Sequence, residues 1–181
     1  MQTIFDFTPI DIDCNSYDYK YQPELTEVLD GIDTDFNQDI INQIVLWKVN
    51  RYASIDVETM KLINRISKKD TEIDTALLGD IFLRLLHTSQ KGIRLAMASA
   101  ILRFKNPKVY QIIDQRVYRF LFGKELKYDL KDINMQICLY TDYLSKLKEA
   151  CKLFSVDFEN ADRVFYAMDK KINKEINLNG F

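Results

Sequence analysis

The spacing of apolar residues is what most restricts the folds open to this chain. Through most of its length they return every third and fourth position, the period of one face of an α-helix. Five glycines and three prolines in 181 residues leave little material for the tight turns of an all-β fold or for low-complexity linkers. A chain of this length can bury a substantial core. The expected fold is all-α, a helical bundle.

The pattern begins after residue 22. Residues 1–22 mix aromatic and acidic side chains without a helical period, so they are expected to lie as an arm on the body or to be loosely ordered. Pro23 to Asp30 predicts a short helix ending at Gly31. From Asn37, a suitable cap, Ile40, Ile41, Ile44, Val45 and Lys48 follow at helical spacing, and Trp47 near the end reads as a core anchor or as a platform for a nucleobase. The expected division is an acidic N-terminal arm over 1–36 and a helical domain over 37–181.

A helix after Asp56 is expected to bury Val57, Met60, Ile63 and Ile66. The next, from Thr75 to about Thr88, carries Leu77, Leu78, Ile81, Phe82, Leu85 and Leu86, with Thr71 and Asp74 as a capping-box-like start. A turn at Ser89 to Gly92 leads into a helix holding Ala96, Met97, Ala100, Ile101 and Phe104, which together predict a helical hairpin. Asn106-Pro107 ends it. Beyond that point Asp114 either caps a helix running to Phe122 and Gly123 or lies inside a single helix that starts at Pro107. Two more helices are expected, over 132–154 with Ile133, Ile137, Tyr140, Leu144, Leu147 and Cys151 on one side, and over 159–176 through Ala161, Val164, Phe165, Met168 and Ile172.

Cys14, Cys138 and Cys151 are odd in number and far apart, and His87 is the only histidine. Disulfide frameworks and Cys/His zinc sites are therefore not expected, catalytic sites needing a pair of histidines are excluded, and a Ser-His-Asp triad would have to use His87. The N-terminus lacks a basic and apolar leader, and no apolar run reaches membrane-spanning length. A soluble, cytoplasmic protein is expected.

Charge is distributed unevenly. Residues 1–46 carry a net −9, 47–128 a net +8 and 129–181 a net −1. A positive middle is the electrostatic condition for meeting a phosphate backbone, while ordinary solvated helix faces, or pairing with the acidic arm, would give the same pattern. Within it, Asp114 is the only acid between Lys91 and Lys124. A lone carboxylate among bases either pairs with them or is a reactive group.

The segment from Gly92 to Ala98, Gly-Ile-Arg-Leu-Ala-Met-Ala, resembles the hairpin and second-helix start of the helix-hairpin-helix DNA glycosylase superfamily, whose pattern reads G-h-G-x-K-T-A. The segment from Asp114 to Arg119 resembles that family's catalytic D-T-H-h-x-R. Arg94 stands where the second glycine would be. Ala96 precedes Asp114 by eighteen residues, at the lysine's place.

The resemblance implies a base-excision-repair enzyme that binds double-stranded DNA through Lys91, Gly92, Ile93, Arg94, Arg116 and Arg119. Asp114 would be the catalytic carboxylate, acting on a flipped base without metal or cofactor. Without an amine at position 96 no Schiff base can form, which implies a monofunctional glycosylase. Candidates for the base pocket are Trp47, Lys48, Tyr110, Tyr166 and Asp169.

Two readings of another class accompany this one. In the first, Asp114 only caps its helix and pairs with Arg116 or Arg119, and Gly92 only ends a helix. In the second, the chain is a non-enzymatic module that binds DNA or a protein partner, its acidic arm covering or mimicking a nucleic-acid surface.

Overall fold

A computed structural model of the chain describes residues 22–49, 53–87 and 93–176. The chain divides into two units, Met1–Tyr52 and Ala53–Phe181. The described residues form eight α-helices: α1 Pro23–Asp30, α2 Gln38–Lys48, α3 Val57–Arg65, α4 Thr75–Leu85, α5 Leu95–Lys105, α6 Gln115–Phe122, α7 Ile133–Phe154 and α8 Ala161–Ile172. Among them no helix is long and apolar enough to cross a membrane.

Short polar side chains set most of the starts. Asn37, Asp56, Asp74, Asp114 and Asp132 each accept a hydrogen bond from a backbone N–H in the first turn of the helix that follows, satisfying donors that have no partner within the helix. Asp74 is thus itself the cap of α4, and Thr71 lies outside the helix. Asp114 caps a separate helix, so the single helix from Pro107 does not form. At the other end of α6, Gly123 takes the left-handed conformation at φ 67° and stops the helix.

In the N-terminal unit α1 and α2 are joined through Trp47. Its indole N–H donates to the Thr26 hydroxyl at 2.8 Å, and the Gln22 amide donates to its backbone carbonyl at 2.7 Å. Trp47 is therefore an anchor between these helices. The expected arm over residues 1–21 lies outside the described residues.

In the Ala53–Phe181 unit, α4 supplies the centre of the core through Leu77, Leu78, Ile81, Phe82 and Leu85, joined by Leu144 and Leu147 of α7 and Val109, Ile113 and Val117 around α6. Its nearest neighbours are α3 and α7, while α6 packs chiefly on α8. The turn of the expected hairpin, residues 88–92, lies outside the described residues.

Several buried faces are rotated from those expected. In α3 the core side is Thr59, Ile63 and Ile66, and Val57 and Met60 are exposed. In α5 it is Leu95, Ala98, Ser99, Leu102 and Arg103, with Met97 and Phe104 outside.

The largest departure is in α8, which buries Asp162 and Asp169 beside Ala161 and Phe165 and leaves Met168 and Ile172 exposed. Acids seven residues apart share one helix face, and each meets a buried arginine. Arg103 of α5 lies 3.8 Å from Asp162 and donates to the Glu159 carbonyl at 3.0 Å. Arg119 of α6 donates to both oxygens of Asp169 at 2.9 and 2.8 Å, and to the Ile176 carbonyl at 2.8 Å. Asn173 adds a bond of 2.7 Å to the same carboxylate.

Burial alone would raise the pKa of Asp169, but the hydrogen bonds from Arg119 and Asn173 outweigh it and hold the carboxyl below its ordinary 3.8. A carboxylate with a depressed folded pKa adds stability that is complete above the ordinary value and is lost as pH falls below it. Asp169→Ala should cost about 3–5 kcal/mol in urea unfolding at neutral pH, because it leaves the Arg119 guanidinium buried without its counter-charge. Asp169→Asn should remove this part of the acid sensitivity below pH 3.8.

Candidate functional site

The site is built around a non-helical segment, Gln111 to Ile113, that joins α5 to α6 through the core. Buried backbone polar groups need partners, and here side chains supply them. Tyr140 donates its hydroxyl to the Gln111 carbonyl at 2.9 Å and Tyr143 to the Ile112 carbonyl at 2.6 Å. The Ile113 N–H donates to the Ser99 hydroxyl at 3.1 Å, and that hydroxyl donates to the Ala96 carbonyl at 2.8 Å. Burial pushes both tyrosine hydroxyls well above their ordinary pKa, so they remain protonated donors.

Upstream, the fully buried Asn106 fixes the turn that leads into this segment. Its amide donates to the carbonyls of Ser67 at 2.7 Å and Asp70 at 3.0 Å, and its oxygen accepts from the Lys108 N–H at 3.0 Å. Sequence reasoning took Asn106-Pro107 as a helix break and missed this second role. An asparagine next to a proline gives no sign of where its side chain will bond.

The segment delivers Asp114 to the start of α6. The carboxylate is half-buried; Oδ1 accepts from the N–H of Arg116 at 2.7 Å and of Val117 at 3.4 Å. Among the described residues Oδ2 accepts no hydrogen bond and Asp114 makes no ion pair. The expected pairing with Arg116 or Arg119 is not formed, because Asp169 takes both: Arg116 Nη1 lies 3.5 Å from it and Arg119 is doubly bonded to it.

A further element meets the start of α6. Gln115 donates to the Leu126 carbonyl and accepts from the Leu126 N–H, each at 3.2 Å, which ties the loop between α6 and α7 to this helix end. Arg94 precedes α5, exposed, and among the described residues no side chain caps that helix. Its charge is felt by Tyr128 of the same loop, whose hydroxyl pKa is raised by burial and partly lowered by Arg94. Neither Gln115 nor Tyr128 carries any signal in sequence, since their importance comes only from where the loop lies.

The remaining candidates are scattered. Lys91 and Gly92 lie outside the described residues. Ile93 is buried. Arg116 is partly exposed and sits over the exposed Tyr166 ring, 5.9 Å from its centroid. Arg119 and Asp169 are buried in their mutual pair. Tyr110 is a core residue whose hydroxyl is pushed up to about 12 by burial and by the carboxylates of Asp70 and Asp74. Trp47 and Lys48 belong to the other unit. The five pocket candidates therefore do not converge within the Ala53–Phe181 unit. No protein-family model, characterised protein or solved structure matches the chain.

Capping separates two substitutions at Asp114. Alanine removes the acceptor and should cost about 1 kcal/mol, whereas asparagine caps as well as aspartate and should leave the unfolding midpoint nearly unchanged. Equilibrium unfolding of the two variants beside the unmodified protein measures both.

Proposed function

We propose that the Ala53–Phe181 unit binds duplex DNA and hydrolyses the N-glycosidic bond of a flipped, damaged or modified base as a monofunctional glycosylase, with Asp114 as the catalytic carboxylate. The observation that carries this reading is the division of labour within Asp114, where one oxygen is held by the first turn of α6 and the other has no hydrogen bond among the described residues. A carboxylate held in this way costs little reorganisation when charge develops opposite it. The dipole of α6 also favours an anion at this end.

As the bond from the sugar to the base breaks, positive charge spreads over the anomeric carbon and ring oxygen, and Oδ2 stabilises it. A water forms the new carbon–oxygen bond and gives up a proton, and the base leaves with the electrons of the broken bond and is protonated. The methyl side chain of Ala96 cannot form a Schiff base, so the strand remains intact at the abasic site. Arg94 and the first-turn N–H groups of α5, which no side chain among the described residues caps, suit a phosphate oxygen by charge and by the helix dipole.

The burial of Tyr110 and Asp169 favours a second reading on the same scaffold, a non-enzymatic module for DNA or a protein partner. Asp114→Asn separates the two, because the cap survives and only the charge is lost. If the enzyme reading holds, release of modified bases from a panel of duplexes, revealed as alkali-labile sites, should fall by orders of magnitude while DNA binding holds or tightens. Base release that persists in Asp114→Asn would end the case for catalysis by Asp114, and no release by the unmodified protein across the panel would favour the second reading.

In either form, affinity for duplex DNA should fall steeply with salt, and Lys91→Glu with Arg94→Glu should weaken it regardless of sequence. Fluorescence anisotropy across a salt series measures this. Binding that ignores both salt and the charge reversals would exclude a phosphate contact at α5.

A further inference from the structure

The loop between α6 and α7 carries charge that the catalytic reading leaves unused. Gly123 turns the chain out of α6, and the paired bonds between Gln115 and Leu126 fold the loop back beside the start of that helix. Lys124, Glu125 and Lys127 are thereby set around a surface cavity of about 370 Å3 whose remaining lining is Tyr118. The Tyr118 ring stacks on Phe122 with centroids 4.4 Å apart and is nearly fully buried, so this wall is fixed in place. Tyr118 follows Asp114 by one helical turn and donates its N–H to the Asp114 carbonyl at 2.8 Å.

We propose that this cavity seats a phosphodiester of the DNA strand, held by the ammonium groups of Lys124 and Lys127, as a second backbone contact beside the one at Arg94. The inference rests on the reading that this unit binds DNA. One turn of helix is about 5.4 Å and successive nucleotides on one strand rise about 3.4 Å, so a strand passing Asp114 reaches the cavity within a few nucleotides. Lysine suits such a contact because it meets phosphate as a mobile point charge.

Both lysines are exposed, and the Lys127 side chain retains 81% of its accessible surface. Glu125 lies 3.2 Å from Lys127 and is the one acid in the lining. A phosphate entering the cavity competes with Glu125 for Lys127, so Glu125 acts as a brake on affinity. A contact that positions the backbone carries no base information, so these residues should affect all sequences alike.

The test is anisotropy titration of a labelled duplex over a salt series with the full chain. Lys124→Gln combined with Lys127→Gln should weaken binding about tenfold or more and lower the slope of log affinity against log salt by about two, one for each ammonium group removed from the phosphate backbone. Glu125→Gln should tighten binding severalfold. Lys146→Gln, in a separate groove lined by Phe120, Leu153, Phe165 and Met168, should leave the slope unchanged. A double variant that keeps the original slope, while Arg94→Glu still weakens binding, overturns this inference and leaves DNA binding standing. Absence of salt-dependent binding by the unmodified protein overturns both.

Discussion

The pair between Arg119 and Asp169 is the interaction on which the rest of the Ala53–Phe181 unit depends. It lies at the contact of α6 with α8, with the carboxylate fully buried and the guanidinium nearly so. Removing two charges from water is expensive, and the cost is offset only because nearly every donor and acceptor has a partner. Asp169 accepts from Arg119, Asn173 and Arg116, and Arg119 also reaches the Ile176 carbonyl. The pair fixes α6 in rotation and in register. Because α6 begins at Asp114, it also fixes where that carboxylate stands.

A second constraint acts from the opposite side. Tyr140 and Tyr143 of α7 and Ser99 of α5 hold the three residues before Asp114 by their backbone. The carboxylate is thus determined at both ends, by the helix that it caps and by the segment that delivers it. A group held this firmly suits electrostatic catalysis, which depends on not having to reorganise. It would equally suit a rigid binding surface, and chemistry on DNA is what distinguishes them.

The basic middle of the chain acquires a different meaning once the helices are packed. Two of its arginines, Arg103 and Arg119, are turned inward to Asp162 and Asp169, and Arg116 leans on the same acid. Within this unit these acids come from α8, which as a segment is nearly neutral in charge. Among the described residues, Arg94 before α5 and Lys124 and Lys127 in the loop after α6 remain exposed.

The sequence by itself determined where the helices lie and some of their caps. An apolar period and a short polar acceptor ahead of it are local properties, so α1 and α2 begin where Pro23 and Asn37 allow, whereas Asp74 instead of Thr71 as the cap of α4, and Asp114 instead of Pro107 as the start of α6, were settled by the structure. The sequence also singled out Asp114, through its isolation among bases. Only the tertiary structure decided which faces turn inward and which charges meet. A pattern of apolar residues cannot reveal a core face made of aspartates, as in α8, because a buried acid is tolerated only where an arginine from another helix satisfies it, and that partner lies fifty residues away in the chain. Nor could it show that Tyr140 and Tyr143 would spend their hydroxyls on the backbone before Asp114, or that Gln115 would draw the following loop to its side. Those bonds join residues distant in sequence and exist only when the helices have packed.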